Sequence, residues 1–567
     1  MNAFDGPAVA LSKLTIASES VAHTSAGLAT VPLDILLLIF RNLEVSDICS
    51  LAQCCHRLAT LTSVRPVWHS ALQDLIASHI PIPPCPPLEG LSAEELRHTA
   101  LHAGALRRAW TSAHPTRTRV LRVLPNLTRR MRPTGLDLVL GREHRYALAT
   151  YHSLDARPDD DARHLLQCVD FGVPGLRARG WEDDGDTDST VVAWMWFSGA
   201  LSFALNEARD AAALVAVTSV DSNPTTYILG LDVSSRGAGR PWASQDTVQH
   251  GFTTLRRMET LGIPLLLRGE VLVAGDLQGN LWLYNVDTGA TLYELRSLRE
   301  AADADTAHAD IPQVVLLPDM LLAFDSATIR QYTLSATTVA DADPAEYPVL
   351  HPTVIHRWRW RIDTLSVAPL SHPLSPAPNP RPPINIWVRF GSWYPWPINM
   401  MHHYSLTSAS EGAAYALPPV LVLYTYSALD MFAVAHATVG PHGTALWTDT
   451  QSDAFGEGVG GSDGSGRLDG QRIVAKVLRP LPSHVQVPSD GAEDVGLEVG
   501  AVGMMREMEG AKYDRGTTTT FGLLRREQEP CVVALDEEAG RVALALKGGE
   551  MVVWEYLPMA ERDERAR

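Results

Sequence analysis

Cysteine is scarce in this sequence, and what there is follows no pattern. The 6 cysteines (Cys49, Cys54, Cys55, Cys85, Cys168 and Cys531) contain no CxxC pair. That argues against a disulfide framework and a structural zinc site, and suits a reducing compartment. Positive charge is also short: 47 Lys and Arg against 65 Asp and Glu give a formal net charge of -18. Such a balance disfavours broad binding to a phosphate backbone, although a local basic patch is compatible with it. Unbroken apolar runs are missing too. The greasiest stretch, "ALPPVLVLYTYSALDMFAVAHATVG" (416–440), contains Pro418, Pro419, Asp430 and His436. Its β-branched and aromatic residues read as two buried strands joined by a turn at 427–430, not as a membrane span. Residues 1–28 are rich in Ala, Ser and Thr and lack a basic start followed by an apolar block. No secretory signal is expected, and the expected location is cytoplasmic and/or nuclear, away from membranes.

Enzyme signatures are equally thin. Gly456, Gly458 and Gly461 fit GxGxxG, and Gly460, Ser462 and Gly464 fit GxSxG. Both lie in one glycine-rich loop without the strand and helix that give either pattern its geometry. His98 and His102 have a zinc-compatible spacing on a helix, but no HExxH glutamate and no third ligand accompany them, so a linker-helix surface is the better reading. His402 and His403 would face opposite ways on a strand and cannot share a metal. No catalytic, cofactor or metal-ligating residue is expected.

What is present is ordinary soluble-protein composition, 46% hydrophobic and 20% charged over 567 residues. The chain is too long for a single simple core. Its first part reads as helical. Pro32 suits a first helical position, and Asp34 favours the positive helix end. In "VPLDILLLIFRNL" (31–43), Ile35, Leu36, Ile39, Phe40 and Leu43 form one apolar stripe, and Leu33, Leu37 and Leu38 carry it round the other side. A short helix apolar on all sides needs more cover than one core provides. Ser46 and Asp47 open a second helix carrying Ile48, Leu51, Cys55 and Leu58. The proline-rich break "IPIPPCPPLEG" (80–90) precedes a helix over 92–110, with Ser92 and Glu95 spaced as a capping box.

From about residue 118 the pattern changes to short strands between Gly, Asp, Asn and Pro turns. The clearest unit, 271–295, reads as strands 271–274, 281–286 and 290–295. A second, 531–556, has the same rhythm, and weaker copies lie at 213–233 and 320–334. Repeated three- or four-stranded units of about 40 to 50 residues point to a β-propeller, with stacked sandwiches as the competing all-β arrangement. Segments 298–311, 371–383, 451–470 and 488–516 read as flexible loops inserted in it. Arginines 107, 108, 117, 119, 122, 129, 130 and 132 form a basic run, read as a solvated linker rather than an anion-binding patch. Tryptophan pairs Trp194/Trp196, Trp358/Trp360 and Trp393/Trp396 are expected to fill cores between blades or to line the mouth.

Residues 31–72 resemble the F-box. Val31, Pro32, Asp34, Ile35, Leu36, Ile39 and Phe40 follow that family's opening order, Leu43 its next leucine, and Asp47, Ile48 and Leu51 its second helix. "AQCCHRL" (52–58) resembles its Val-Cys-Arg stretch, and Trp68 its closing tryptophan. Val31 in place of leucine, and Cys54 in place of valine, are mild departures. The β units resemble WD-type repeats more loosely, with Tyr284-Asn285 and Trp554-Glu555 at the Trp-Asp place and Leu231-Asp232 and Tyr332-Thr333 as degenerate copies.

These resemblances imply an architecture: a tail at 1–28, an F-box at 29–72, a break and linker helix at 73–118, a seven- or eight-bladed propeller at 119–557, and a tail at 558–567. They imply a non-catalytic substrate-recognition subunit of an SCF-type E3 ubiquitin ligase. The F-box would bind a Skp-type adaptor, and through it a cullin, by Pro32, Leu33, Ile35, Leu36, Ile39, Phe40, Leu43 and Leu51. The propeller would hold a client whose contact residues the sequence does not identify. The alternative is a propeller scaffold in a non-ligase F-box complex.

Overall fold

The computed structural model describes residues 31–78, 80–82, 88–112, 115–123, 130–155, 164–172, 190–209, 211–220, 224–232, 249–297, 312–334, 347–358, 362–370, 381–390, 400–408, 414–426, 436–450, 471–478, 512–513, 519–524 and 530–557. The expected tails, the loops 298–311 and 451–470 with their glycine motifs, Trp360 and the pair Trp393/Trp396 lie outside these residues.

Five helices come first: α1 Leu33–Phe40, α2 Val45–Cys54, α3 His56–Thr62, α4 Arg65–Ala77 and α5 Ala93–Thr111. Pro32 precedes α1, where its missing N–H costs nothing. The second helix starts earlier than Ser46 as N-cap suggests, at Val45. Glu44 is its N-cap, its carbonyl accepting from the N–H groups of Asp47 and Ile48. Burial of Val45 against the module core explains the earlier start. Leu36, Phe40, Ile48, Val67, Trp68 and Leu72 form that core. After the proline-rich break, Arg65 on α4 donates to the carbonyls of Leu88, Glu89 and Leu91, holding the returning chain against the helices. The capping box opens α5 as its spacing predicts: Ser92 N–H donates to Glu95 Oε2 at 2.8 Å, and Glu95 N–H to Ser92 Oγ at 3.3 Å.

The rest of the chain folds as a seven-bladed β-propeller. Counted in chain order, the first four strands of blade 1 are Met131–Leu138, Tyr146–Ser153, His164–Asp170 and Thr190–Phe197. Blade 2 runs from Ala200–Leu205 to Phe252–Glu259, blade 3 from Ile263–Arg268 to Thr291–Leu295, and blade 4 from Gln313–Leu317 to Val354–Arg357. Blade 5 runs from Ile362–Pro369 to Val420–Tyr426, and blade 6 from Ala437–Val439 to Thr519–Leu524. Blade 7 takes Pro530–Asp536, Arg541–Leu546 and Met551–Glu555 from the end of the chain. Its outer strand, Arg119–Val123, comes from far upstream in the chain and pairs antiparallel with Met551–Glu555, closing the ring. A closed ring removes the edges that an open sheet array would expose.

The stretch 416–440 does not form one hairpin. Val420–Tyr426 is the fourth strand of blade 5 and Ala437–Val439 the first of blade 6. Both are apolar because both are sandwiched between neighbouring blades, not because they pair with each other. The expected loop 488–516 contains the short strand Lys512–Tyr513, which pairs parallel with the outer strand of blade 5. Side chains tie adjacent blades at their inner strands. Gln313 of blade 4 donates to Leu365 O and accepts from Val367 N of blade 5. Ser366 accepts from Val439 N of blade 6, and Asn206 of blade 2 brackets Gly269 of blade 3.

The Trp-Asp places fall where the repeat resemblance puts them. Tyr284-Asn285, Leu231, Tyr332-Thr333 and Trp554-Glu555 all end third strands. In blade 3, Asn285 Oδ1 accepts from both the N–H and the hydroxyl of Thr288, and Gly289 follows at φ +76°. An asparagine thus organises this turn as an aspartate does elsewhere.

Candidate functional site

Six apolar residues of α1, Leu33, Ile35, Leu36, Leu38, Ile39 and Phe40, are divided by the helix phase. Leu36 and Phe40, placed by sequence among the adaptor-binding residues, face inward and are fully buried beside Trp68 and Leu72. Their chemistry serves the module's own core. Pro32, Leu33 and Ile35 are exposed, while Ile39, Leu43 and Leu51 are half-buried and pack on the core's rim. Leu38, outside the candidate set, is more exposed than Leu33 or Ile35. Leu33, Ile35 and Leu38 leave 43%, 48% and 54% of their surface in water. Three large aliphatic side chains within six residues make a concentrated apolar patch, which isolated exposed leucines elsewhere do not.

Residues 28–74 match the F-box-like family model. A search of the curated proteins gives no match. Among solved structures, a chain of "Crystal Structure of Mitotic Checkpoint Complex" aligns over 78% of this chain and 92% of its own length, with 10% identity and a TM-score of 0.37. That likeness is too slight to bear on fold or function.

The F-box module and the propeller share one helix. Leu96, Ala100 and Ala103 of α5 lie in the F-box core, whereas Ala105, Leu106 and Trp110 pack with Val542, Leu544, Trp554 and Tyr556 of blade 7. His102, expected on a linker surface, is instead drawn in. Its Nε2 lies 3.0 Å from the carbonyl oxygen of Glu538, and burial lowers its pKa. The basic run is not all linker, although most of its described arginines stay exposed. Arg117 stacks over Trp554, Arg119 and Arg122 pair with Glu555 and Glu550, and Arg130 pairs with Asp155. The reading of that run as a linker is corrected for this reason: its centre is the closing strand of the ring.

At the turn after the first strand of blade 7, Asp536, Glu537 and Glu538 reach three different neighbours. Asp536 Oδ2 is 2.8 Å from His144 Nδ1 of blade 1. Glu537 accepts from the backbone N–H groups of His442 and Thr444 in blade 6, each at 2.6 Å. Glu538 receives Arg209 of blade 2 in a fork at 2.8 and 2.6 Å, and His442 Nε2 lies 3.1 Å from it. These surroundings pull the acids apart. Burial raises the Glu537 carboxyl against its hydrogen bonds. Burial also acts to raise Glu538, but the hydrogen bonds of His442 and Arg209 overcome it and hold the group down at about 2. Burial alone would lower His144, yet its bond to Asp536 leaves it raised.

The two adjacent histidines of blade 5 point apart, as alternation requires. His402 stands against Phe390, and His403 Nε2 lies 3.0 Å from Asn385 Oδ1. Burial lowers them to about 4 and about 3, so both are neutral core rings. Among the described residues no group of three metal-ligating side chains occurs, and no helix is long and apolar enough to cross a membrane. At the other end of the inner strands from the acidic turn, a cavity of about 250 Å³ opens between blades 5, 6 and 7. Asp363, Leu365, His436, Ala437 and Val532 line it.

Proposed function

We propose that this chain is the substrate-recognition subunit of an SCF-type E3 ubiquitin ligase. The observation that carries the reading is the solvent-facing Leu33, Ile35 and Leu38 patch on a module that matches the F-box-like family, joined to a complete propeller. A Skp-type adaptor, itself bound to a cullin, covers that patch. The propeller binds the client on the end of its ring away from α5, where the cavity between blades 5, 6 and 7 opens. The chain contributes proximity and no bond chemistry: a client held beside a charged conjugating enzyme reacts at a raised effective concentration.

Coexpression with a Skp-type adaptor followed by size-exclusion chromatography tests the first half. A stoichiometric complex that also retains cullin supports the receptor. An adaptor complex that excludes cullin points to a non-ligase F-box assembly, and a folded protein eluting alone refutes both.

A further inference from the structure

The acidic turn of blade 7 is also the seat of α5. His102 meets the turn's backbone at the Glu538 carbonyl. One turn further along the helix, Leu106 lies so close to Gly540 that a Cβ there would stand 2.8 Å from its methyl group. Gly540 has φ +64°, a region that glycine enters without cost, so both the conformation and the approach of α5 require it. The turn itself has little freedom. Its carboxylates are fastened to blades 1, 2 and 6, through short charge-assisted bonds made away from water. Movement of the seat would break contacts to three blades at once.

We propose that residues 536–540 are the joint that fixes the orientation of the F-box module on the propeller, with Glu538 as its positioning residue. Glu538 acts in two directions. Its backbone oxygen receives α5, while its side chain anchors that oxygen to Arg209 and His442. The apolar contact of Leu106 and Trp110 supplies adhesion, but a greasy face alone permits rolling and sliding. The polar anchor selects one angle. This deepens the receptor reading, since a receptor needs a set span between adaptor and client, yet its test requires neither partner.

Spin labels carried by unnatural amino acids at Gln73 on α4 and Leu277 in blade 3, both exposed, report the span in the full-length chain by double electron–electron resonance. The native protein gives one narrow distance distribution. Glu538→Ala broadens it while near-ultraviolet dichroism and the main melting transition of the propeller persist. Glu538→Gln, which keeps the length and an acceptor oxygen, restores most of the narrowness, and Gly540→Ala shifts the mean distance. If Glu538→Ala fails to fold, His102→Phe takes its place: it removes the bond to the turn and leaves the blades intact, with broadening again expected. A native distribution in folded Glu538→Ala or His102→Phe, together with an unshifted mean in Gly540→Ala, overturns the joint and assigns the angle to apolar packing alone. That failure would leave adaptor binding by the F-box face untouched.

Discussion

Replacing Leu33, Ile35 and Leu38 together by alanine separates a partner face from a folding core within one helix. About half of each side chain is already buried against the module. Complete burial of such a side chain is worth about 1.5–3 kcal/mol, so covering the exposed half yields about 1 kcal/mol apiece. The three together amount to about 3 kcal/mol, or about 100-fold in Kd if a partner covers them fully. Alanine is a strong helix former, so α1 should survive, but the truncations also remove the halves already packed on the module, at about 1 kcal/mol apiece. Isothermal titration calorimetry against a purified Skp-type adaptor reads the affinity, and thermal melting reads the fold. The expected result is affinity reduced by one to two orders of magnitude in a helical module that still melts cooperatively, at a lowered temperature that stays above that of the titration. Binding within twofold of the native protein would show that the patch is not the docking face, and the reasoning from exposure would fail.

The inward residue of the same helix should behave oppositely: Leu36→Ala costs about 2–5 kcal/mol through the cavity it leaves, lowering the helical module's melting transition in calorimetry. Acid should act through Glu538. Its folded pKa is depressed to about 2, so the stability it contributes is complete above its ordinary carboxylate value of 4.5 and disappears as pH falls from there toward 2. Melting of the native protein and of Glu538→Gln should therefore converge over that window, and parallel curves would refute the linkage. His402 and His403, lowered to about 4 and 3, are neutral when folded and take up protons when unfolded, so their contribution is complete above pH 6.5 and declines as pH falls below it. His403→Gln should flatten the melting temperature between pH 7 and 5; an undiminished slope would contradict the assignment. His144 runs the other way. Its raised pKa gives a contribution present below the ordinary histidine value and lost as pH rises through the folded one, so His144→Gln should matter less at pH 9 than at pH 6.

The unit 271–295 was legible because its turns are local. Asp276 bonds to Asn280 and Asn285 to Thr288, each within a few residues, and the strands between them alternate as buried sheet does. The ring closure was not legible from Arg119–Val123, whose arginines suit a linker equally well, because the acidic residues that accept them come from the far end of the chain. For the same reason no spacing rule joins Asp536, Glu537 and Glu538 to His144, Arg209 and His442. In α1 the motif marks a helix but does not say which of its sides turns inward. Every position from Ile35 to Phe40 is apolar, so no polar residue sets the phase, and only the packing of Trp68 and Leu72 shows that Leu36 and Phe40 turn in while Ile35 and Leu38 turn out.

The strand that closes the ring is synthesised first and its partners last. Thr118 and Glu555, which bond across the closure, are 437 residues apart. At about 5–20 residues per second, a ribosome needs roughly 20–90 s to supply that distance. The helical module can complete its own core early in this interval. The second half of α5, with Leu106 and Trp110, must wait for blade 7. A nascent chain therefore holds a finished helical module beside an unfinished ring, and its apolar stalk is bare for most of its time on the ribosome. Chaperone capture during synthesis should concentrate on that stalk and end when residues 530–557 arrive.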